Sequence, residues 1–240
     1  MTRPIDSAEL LFVSDVSPYR RGMTLQPSGI HQSLPSAAIA FEQVATLSGL
    51  RFAHVHGVTG AAPERLRAAR VLALFTIGEA PWTQAQRYVI AQRVRSGKLG
   101  LVGVHATADS AFDWPDFADL LGARFESHPV TANLPLRVVD RDHPATSQLP
   151  SPWSLYEEFY LFRDLAPDLH VLLAVDMAGG AAFVGGSAGV DRYPCPLAWC
   201  IERDRMRTFY TALGHHVAAY ENSHFIQHLH GAVRWVLNEE

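Results

Sequence analysis

Leu99 to Val104 is a short apolar run in which polar and apolar positions do not alternate. A strand covered on both faces by helices reads this way, because side chains on either side meet a hydrophobic layer. Val71 to Ile77 has the same character. Both runs stop abruptly, one at Gly103-Val-His105-Ala-Thr-Ala-Asp109 and the other at Gly78-Glu79. In an open α/β sheet, ligands bind just beyond the carboxyl ends of the strands. His105, Asp109 and Glu79 are therefore candidate site residues. The plainer alternative for His105 is a histidine that caps its strand and bonds a neighbouring loop.

The chain before this point alternates strand and helix. Glu9–Ser14 reads as a first strand with Asp15 at its end, followed by a long loop, Val16–Gln32, that contains Ser28-Gly-Ile-His31. Apolar residues at helical spacing predict a helix over Leu34–Ser48, stopped by Gly49. Leu50–His56 reads as a second strand with His54 and His56 on one face. Pro63 opens a short helix to Ala69. Thr83 offers an N-cap for a helix to Ser96, stopped by Gly97. Strand–helix repetition implies parallel strands joined by right-handed crossovers. Asp15, Glu79 and His105 are thus expected along one edge of one sheet.

The later half mixes in antiparallel strands. Asp113–Gly122 is expected to be a short helix, and His128-Pro129 to follow a brief strand. Leu134–Asp140 alternates as an antiparallel strand does, and His143 falls in the turn Asp142–Thr146. Trp153–Phe162 carries Glu157 and Glu158 among aromatics, which desolvate a carboxylate and raise its pKa. His170–Val175 is a strand, and Met177–Val190 a Gly/Ala-rich loop without the strand–GxGxxG–helix context of a nucleotide cradle. Pro196–Glu202 and Thr208–Leu213 are expected to pair, the second ending in Gly214-His215-His216. Glu221–Leu237 is a terminal helix with a buried stripe from Phe225 to Val236. His224 and His228 share a face of it, a spacing that can hold a metal but far more often serves packing.

Composition excludes several classes of partner. Twenty Lys and Arg against 24 Asp and Glu give a net charge of −4, too mild for a polyanion-binding surface, and no basic run is interleaved with aromatics. No apolar run reaches the length of a membrane span. Neither a nucleic acid nor a membrane is an expected partner. Two cysteines, Cys195 and Cys200, build no disulfide framework and lack a zinc-knuckle spacing; they are expected as reduced thiols in or near the core. With no apolar leader at the N-terminus, a cytoplasmic protein of one domain over 1–240 is the expectation.

Several stretches, taken together and in order, resemble the ThuA-like (trehalose utilisation) family. They are Gly103-Val-His105-Ala-Thr-Ala-Asp109, Asp113-Trp-Pro, Leu121-Gly-Ala-Arg-Phe-Glu-Ser-His128-Pro129, Asp142-His-Pro-Ala-Thr146, Glu158-Phe-Tyr160, Phe209-Tyr-Thr-Ala-Leu-Gly-His215 and the closing Phe225–Trp235 segment. The likeness covers residues 97–240 well. Earlier, Gly29-Ile-His31-Gln-Ser33 resembles a family loop with local departures. The resemblance implies a fold like that of class I glutamine amidotransferases: a three-layer α/β sandwich, flavodoxin-like, with a mostly parallel open sheet, helices on both faces and antiparallel strands in the C-terminal half. Those enzymes carry a cysteine on the turn where this chain has His105, so covalent amidotransfer is not expected.

The resemblance further implies a pocket lined by His31, His105, His128, Glu158 and His215. It implies sugar catabolism with a small-molecule sugar as substrate, in functional partnership with a dehydrogenase that makes 3-keto sugars. A lyase or hydrolase that removes the carbon-2 proton, eliminates the carbon-1 substituent and hydrates the product fits these residues. Glu158 or His105 is the expected base, with His128 and His215 as electrophiles or metal ligands. A divalent metal such as zinc is an open expectation, its candidate ligands His105, His128 and His215. His31, Asp109, Glu79 and Tyr160 are the candidate substrate-binding residues. A non-catalytic sugar-binding or scaffold protein and a metal-dependent hydrolase of another substrate class stand as alternatives, and a homo-oligomer is left open.

Overall fold

The computed structural model describes residues 8–17, 31–175 and 195–239. The stretch Met177–Val190 and most of the loop Val16–Gln32 lie outside the described residues. The strand–helix repeats of the first half become β1 (Leu10–Val16), α1 (Leu34–Leu47), β2 (Phe52–His56), α2 (Pro63–Ala68), β3 (Val71–Ile77), α3 (Gln84–Arg95) and β4 (Gly100–Val104). Thr83 caps α3 through a reciprocal box with Gln86. The chain continues through α4 (Pro115–Leu121), β5 (Arg124–Ser127), β6 (Thr131–Val138), β7 (Trp153–Glu158), β8 (Leu161–Arg163), β9 (His170–Val175), β10 (Cys195–Arg203) and β11 (Met206–Thr211). It closes with α5 (Val217–Glu221) and α6 (Ser223–Val236).

Nine strands form one sheet in the order β2-β1-β3-β4-β11-β10-β9-β6-β7, and β5 pairs with β8 in a separate two-stranded sheet. The sheet is parallel from β2 to β11 and antiparallel from β11 to β7. Two glycines of β4 show why helices fit on both faces. A Cβ on Gly100 would stand 2.6 Å from Val236 of α6, and one on Gly103, which faces the other way, 2.6 Å from Leu121 of α4. Helices approach the central strand closely because those positions carry no side chain. Every residue of β3 and β4 is buried, as runs without alternation require.

Two expectations need correction. Asp15 does not stand beyond its strand: it lies within β1, opposite Thr76 of β3. Its carboxylate accepts the Val58 N–H (2.8 Å) and the Ser17 hydroxyl, so it fastens the turn after β2 instead of facing a ligand. The terminal helix begins later than Glu221, because Asn222 interposes a cap: its side-chain oxygen accepts the N–H groups of His224 and Phe225. Phe225, Leu229 and Val233 of α6 are fully buried, each contributing roughly 1.5–3 kcal/mol by area. His228 sits in that stripe. Its Nδ1–H donates to the Ala145 carbonyl (2.8 Å), so the His224/His228 pair is packing, not ligation. Cys195 and Cys200 are buried and form no disulfide among the described residues, and burial pushes the Cys200 thiol up to about 12. Among the described residues no helix is long and apolar enough to cross a membrane.

Candidate active site

Thr211 of β11 is in register with Val104 of β4, so the carboxyl ends of these two parallel strands lie side by side. His105 follows β4 directly and His215 stands four residues beyond β11; their rings meet with centroids 5.0 Å apart. His105 takes a left-handed backbone conformation, φ 48°, at the tight turn out of β4, a state that costs a branched or ringed residue energy and persists only when its surroundings hold it. Here the Tyr210 hydroxyl donates to the His105 carbonyl (2.7 Å) and the Thr107 hydroxyl donates to the Leu74 carbonyl (2.7 Å).

The His105 ring is fully buried. Its Nδ1 lies 2.8 Å from the Ala212 carbonyl, which can only accept, so Nδ1 carries the proton and Nε2 presents a lone pair. The Tyr160 hydroxyl donates to that lone pair at 2.9 Å, and His215 Nδ1 is 3.1 Å away. Burial holds the His105 pKa well below the usual imidazole value, with the neighbouring His31 adding to the effect. His31, just ahead of α1, completes the group: its ring lies 5.3 Å from that of His105, 5.5 Å from that of His215 and 5.4 Å from Phe75. Burial, then the charge on His215, pulls its pKa down to about 4.

Glu157 and Glu158 end β7 and, because strand side chains alternate, face opposite ways. Glu158 points into the histidines. Its carboxylate oxygens are 3.2 Å from His215 Nδ1, 3.5 Å from His105 Nε2 and 3.8 Å from His128 Nδ1. Burial by itself raises its pKa, but the hydrogen bond from His215 and the charges of His215, His128 and His31 together outweigh it, so Glu158 titrates below the usual carboxylate range. The acid that aromatic surroundings raise is Glu157. It is wholly buried, and desolvation pushes it up to about 7 although it accepts two backbone N–H groups, from Gly214 (2.9 Å) and His215 (3.1 Å).

The structure thus brings together His31, His105, Glu158, Tyr160 and His215. His128 reaches the rim: it follows β5 of the small sheet, is half exposed, and stacks near Phe125 with centroids 5.8 Å apart. Of the candidate metal ligands His105, His128 and His215, two fall in the group of side chains that converge. The three side chains whose nitrogens converge are His31, His105 and His215, all within 4.8 Å of one another; His128, just after β5 of the two-stranded sheet, is outside that group and faces the other oxygen of Glu158. Glu79 and Asp109 sit at the neighbouring strand end, where the Gly78 N–H donates to the Asp109 carbonyl (2.9 Å). The charge of Glu79 acts on Arg124, and that of Asp109 on Tyr210.

Sequence reasoning passed over Ser33, Glu157 and His216 as site residues. Ser33 is fully buried and its hydroxyl donates to the Gly214 carbonyl (2.9 Å). His216 packs its ring between His215 (4.5 Å) and Tyr156 (4.9 Å). The adjacency of Glu157 to Glu158 and of His216 to His215 was the available signal, with Ser33 two residues after His31.

A family model described as ThuA, trehalose utilisation, matches residues 24–236. Among solved structures, a ThuA-like protein of Bacteroides uniformis is 21% identical, with a TM-score of 0.72 over 98% of this chain and 94% of that one. A ThuA-like protein of Parabacteroides merdae is 16% identical, with a TM-score of 0.65 over 95% and 90%. A β-galactosidase of Rahnella sp. R3 is 10% identical, with a TM-score of 0.59 over 97% of this chain and 32% of that one. At these identities the likeness is one of fold. No curated protein matches the sequence.

Proposed function

We propose that this chain, which belongs to the ThuA trehalose-utilisation family, cleaves the glycosidic bond of a 3-keto-glycoside by proton abstraction, elimination and hydration. The observation that carries the reading is Glu158, an ionised carboxylate set between two imidazoles of the cleft and a third at its rim. Of the two candidate bases, Glu158 is favoured over His105. The His105 ring is fully buried and both its nitrogens are engaged, one by Ala212 and the other by Tyr160.

The ketone of such a substrate acidifies the hydrogen on carbon 2. Glu158 takes that proton, and the electron pair of the C–H bond forms an enolate with the keto group. The enolate collapses to a carbon 1–carbon 2 double bond as the bond from carbon 1 to the leaving oxygen breaks. His128, at the rim, gives that oxygen a proton. Water then adds at carbon 1, giving one proton back to His128, and the proton held by Glu158 returns to carbon 2, so the net change is hydrolysis. A carboxylate held below its usual pKa pulls weakly on a carbon-bound proton. Stabilising charge on the keto oxygen must therefore do much of the work, and the Tyr160 hydroxyl is a suitable donor once its single proton swings from His105 Nε2 to that oxygen. Such substrates arise by oxidation of a sugar hydroxyl, which ties the protein to a sugar dehydrogenase.

The test is incubation with a 3-keto-glycoside in deuterium oxide, followed by proton spectra. Deuterium is expected at carbon 2, together with release of the carbon-1 substituent. Both are lost in Glu158→Gln while the fold is kept. Wild-type protein that exchanges and releases nothing, or full turnover by Glu158→Gln, overturns the reading.

A further inference from the structure

The proposed elimination asks for a stronger electrophile than a phenol, and the cleft offers a place for one. We infer that His31, His105 and His215 hold a divalent transition-metal ion, with Glu158 beside it and His128 outside the ligand set. The inference deepens the proposed function, because the ion is then the electrophile for the keto oxygen, but it stands on geometry of its own.

Nitrogens bound at about 2.0–2.1 Å around a tetrahedral ion lie roughly 3.3–3.4 Å apart. His105 Nε2 and His215 Nδ1 are already 3.1 Å apart, and the His31 nitrogen closes the group within 4.8 Å. The Nδ1–H of His105 donates to the Ala212 carbonyl. Metal-binding histidines keep such an outer contact, which fixes the tautomer and turns the other lone pair inward. His31 is 8% exposed, and its Nδ1 is buried with no hydrogen-bond partner among the described residues. A buried polar atom without a partner is costly, and the ring that carries this one belongs to the converging group. Glu158 Oε2, 3.2 Å from His215 Nδ1 and 3.5 Å from His105 Nε2, supplies the negative charge that offsets a cation in a buried place.

Three imidazole nitrogens select zinc, cobalt or nickel over magnesium and calcium, which take oxygen ligands. His128 is not among the three side chains whose ligand atoms converge.

The experiment uses full-length protein freed of metal by a chelator, then titrated with cobalt(II) and with zinc(II). Cobalt ligand-field absorption and calorimetric heat are the readouts, and neither needs substrate. Equimolar binding is expected in the wild type and in His128→Ala. It is lost in His31→Ala and His215→Ala, and weakened in Glu158→Gln, which removes the carboxylate charge beside the ion. Circular dichroism melts confirm that each variant is folded; His31→Gln replaces His31→Ala if the latter is not. Absence of equimolar binding by wild type, or binding unchanged without His31 and His215, overturns the site. Keto-glycoside cleavage at full rate by chelator-treated protein overturns the ion as electrophile and leaves the proposed function standing. Tight equimolar binding with no action on any keto-glycoside does the reverse.

Discussion

Glu157 grips the backbone of His215. One carboxylate oxygen accepts the Gly214 N–H at 2.9 Å and the other the His215 N–H at 3.1 Å, while the Ser33 hydroxyl holds the Gly214 carbonyl from the opposite side at 2.9 Å. The loop that delivers His215 to the cleft is thus fixed by two elements distant in sequence, β7 and the segment before α1.

Replacing Glu157 with Gln leaves one of the two N–H groups facing an amide NH2 that cannot accept. A buried donor left unsatisfied costs about 1–3 kcal/mol, so the urea midpoint of Glu157→Gln should fall by that equivalent. Turnover should fall as well, since His215 loses its anchor. An unchanged midpoint and unchanged turnover would show that the clamp holds nothing.

Gly214 has φ 113°, and a Cβ there would meet the Tyr220 hydroxyl at 2.6 Å. Gly214→Ala should therefore lose about 1–3 kcal/mol from backbone strain alone, with the clash added. Tyr220 itself carries a buried hydroxyl with no hydrogen-bond partner among the described residues. Tyr220→Phe should be neutral or stabilising by thermal melt, and it should recover part of the loss when combined with Gly214→Ala.

Tyr160→Phe removes the hydroxyl that donates to His105 Nε2 while keeping the ring packed against His105 (4.5 Å) and Phe125 (4.5 Å). Its melt should shift by the equivalent of about 1 kcal/mol. Its kcat on a keto-glycoside should drop about 100-fold, the scale of losing one donor to a developing oxyanion. Equal losses in stability and none in kcat would assign Tyr160 to packing alone.

His143 and His228 lie away from the cleft, and burial is the main cause that pulls each down to about 4, from the ordinary 6.5 of an unfolded histidine. With the folded value depressed, the unfolded chain binds the extra protons. The contribution is present in full above 6.5 and is lost as pH falls from there toward about 4. Each residue accounts for a loss on the order of 3 kcal/mol over that window. His228→Asn keeps a donor for the Ala145 carbonyl and removes the titration. Urea midpoints measured from pH 8 to pH 5 should fall less steeply for this variant than for wild type. Parallel slopes would show that His228 is not a buried neutral ring.

The strands and helices were legible because their causes are local. The unbroken apolar runs of β3 and β4 admit one environment, between two helical layers, and that also places His105 at a strand end. Capping by Thr83 and the stop at Gly122 are chemistry written in a few residues. The roles of the two adjacent acids were not legible, since alternation along β7 turns one toward the imidazoles and the other toward the backbone, and residue type says nothing of which. The same holds for His31 against His128: both are histidines in loops, and only the packing of their elements separates a converging ring from a half-exposed one.

What the sequence alone determined is a layered α/β sheet whose carboxyl edge carries histidine and acid, because burial and strand direction are set by patterns a few residues long. What the tertiary structure decided is which of those groups meet. β7 lies four places from β11 in the sheet, which in a flat sheet at about 4.8 Å per strand is roughly 19 Å. Yet Glu157 bonds Gly214 at 2.9 Å. The twist of the sheet, summed over every pair of strands, and the loop that runs from Thr211 to Gly214 together close that distance, and no single stretch of sequence carries either the summed twist or the meeting.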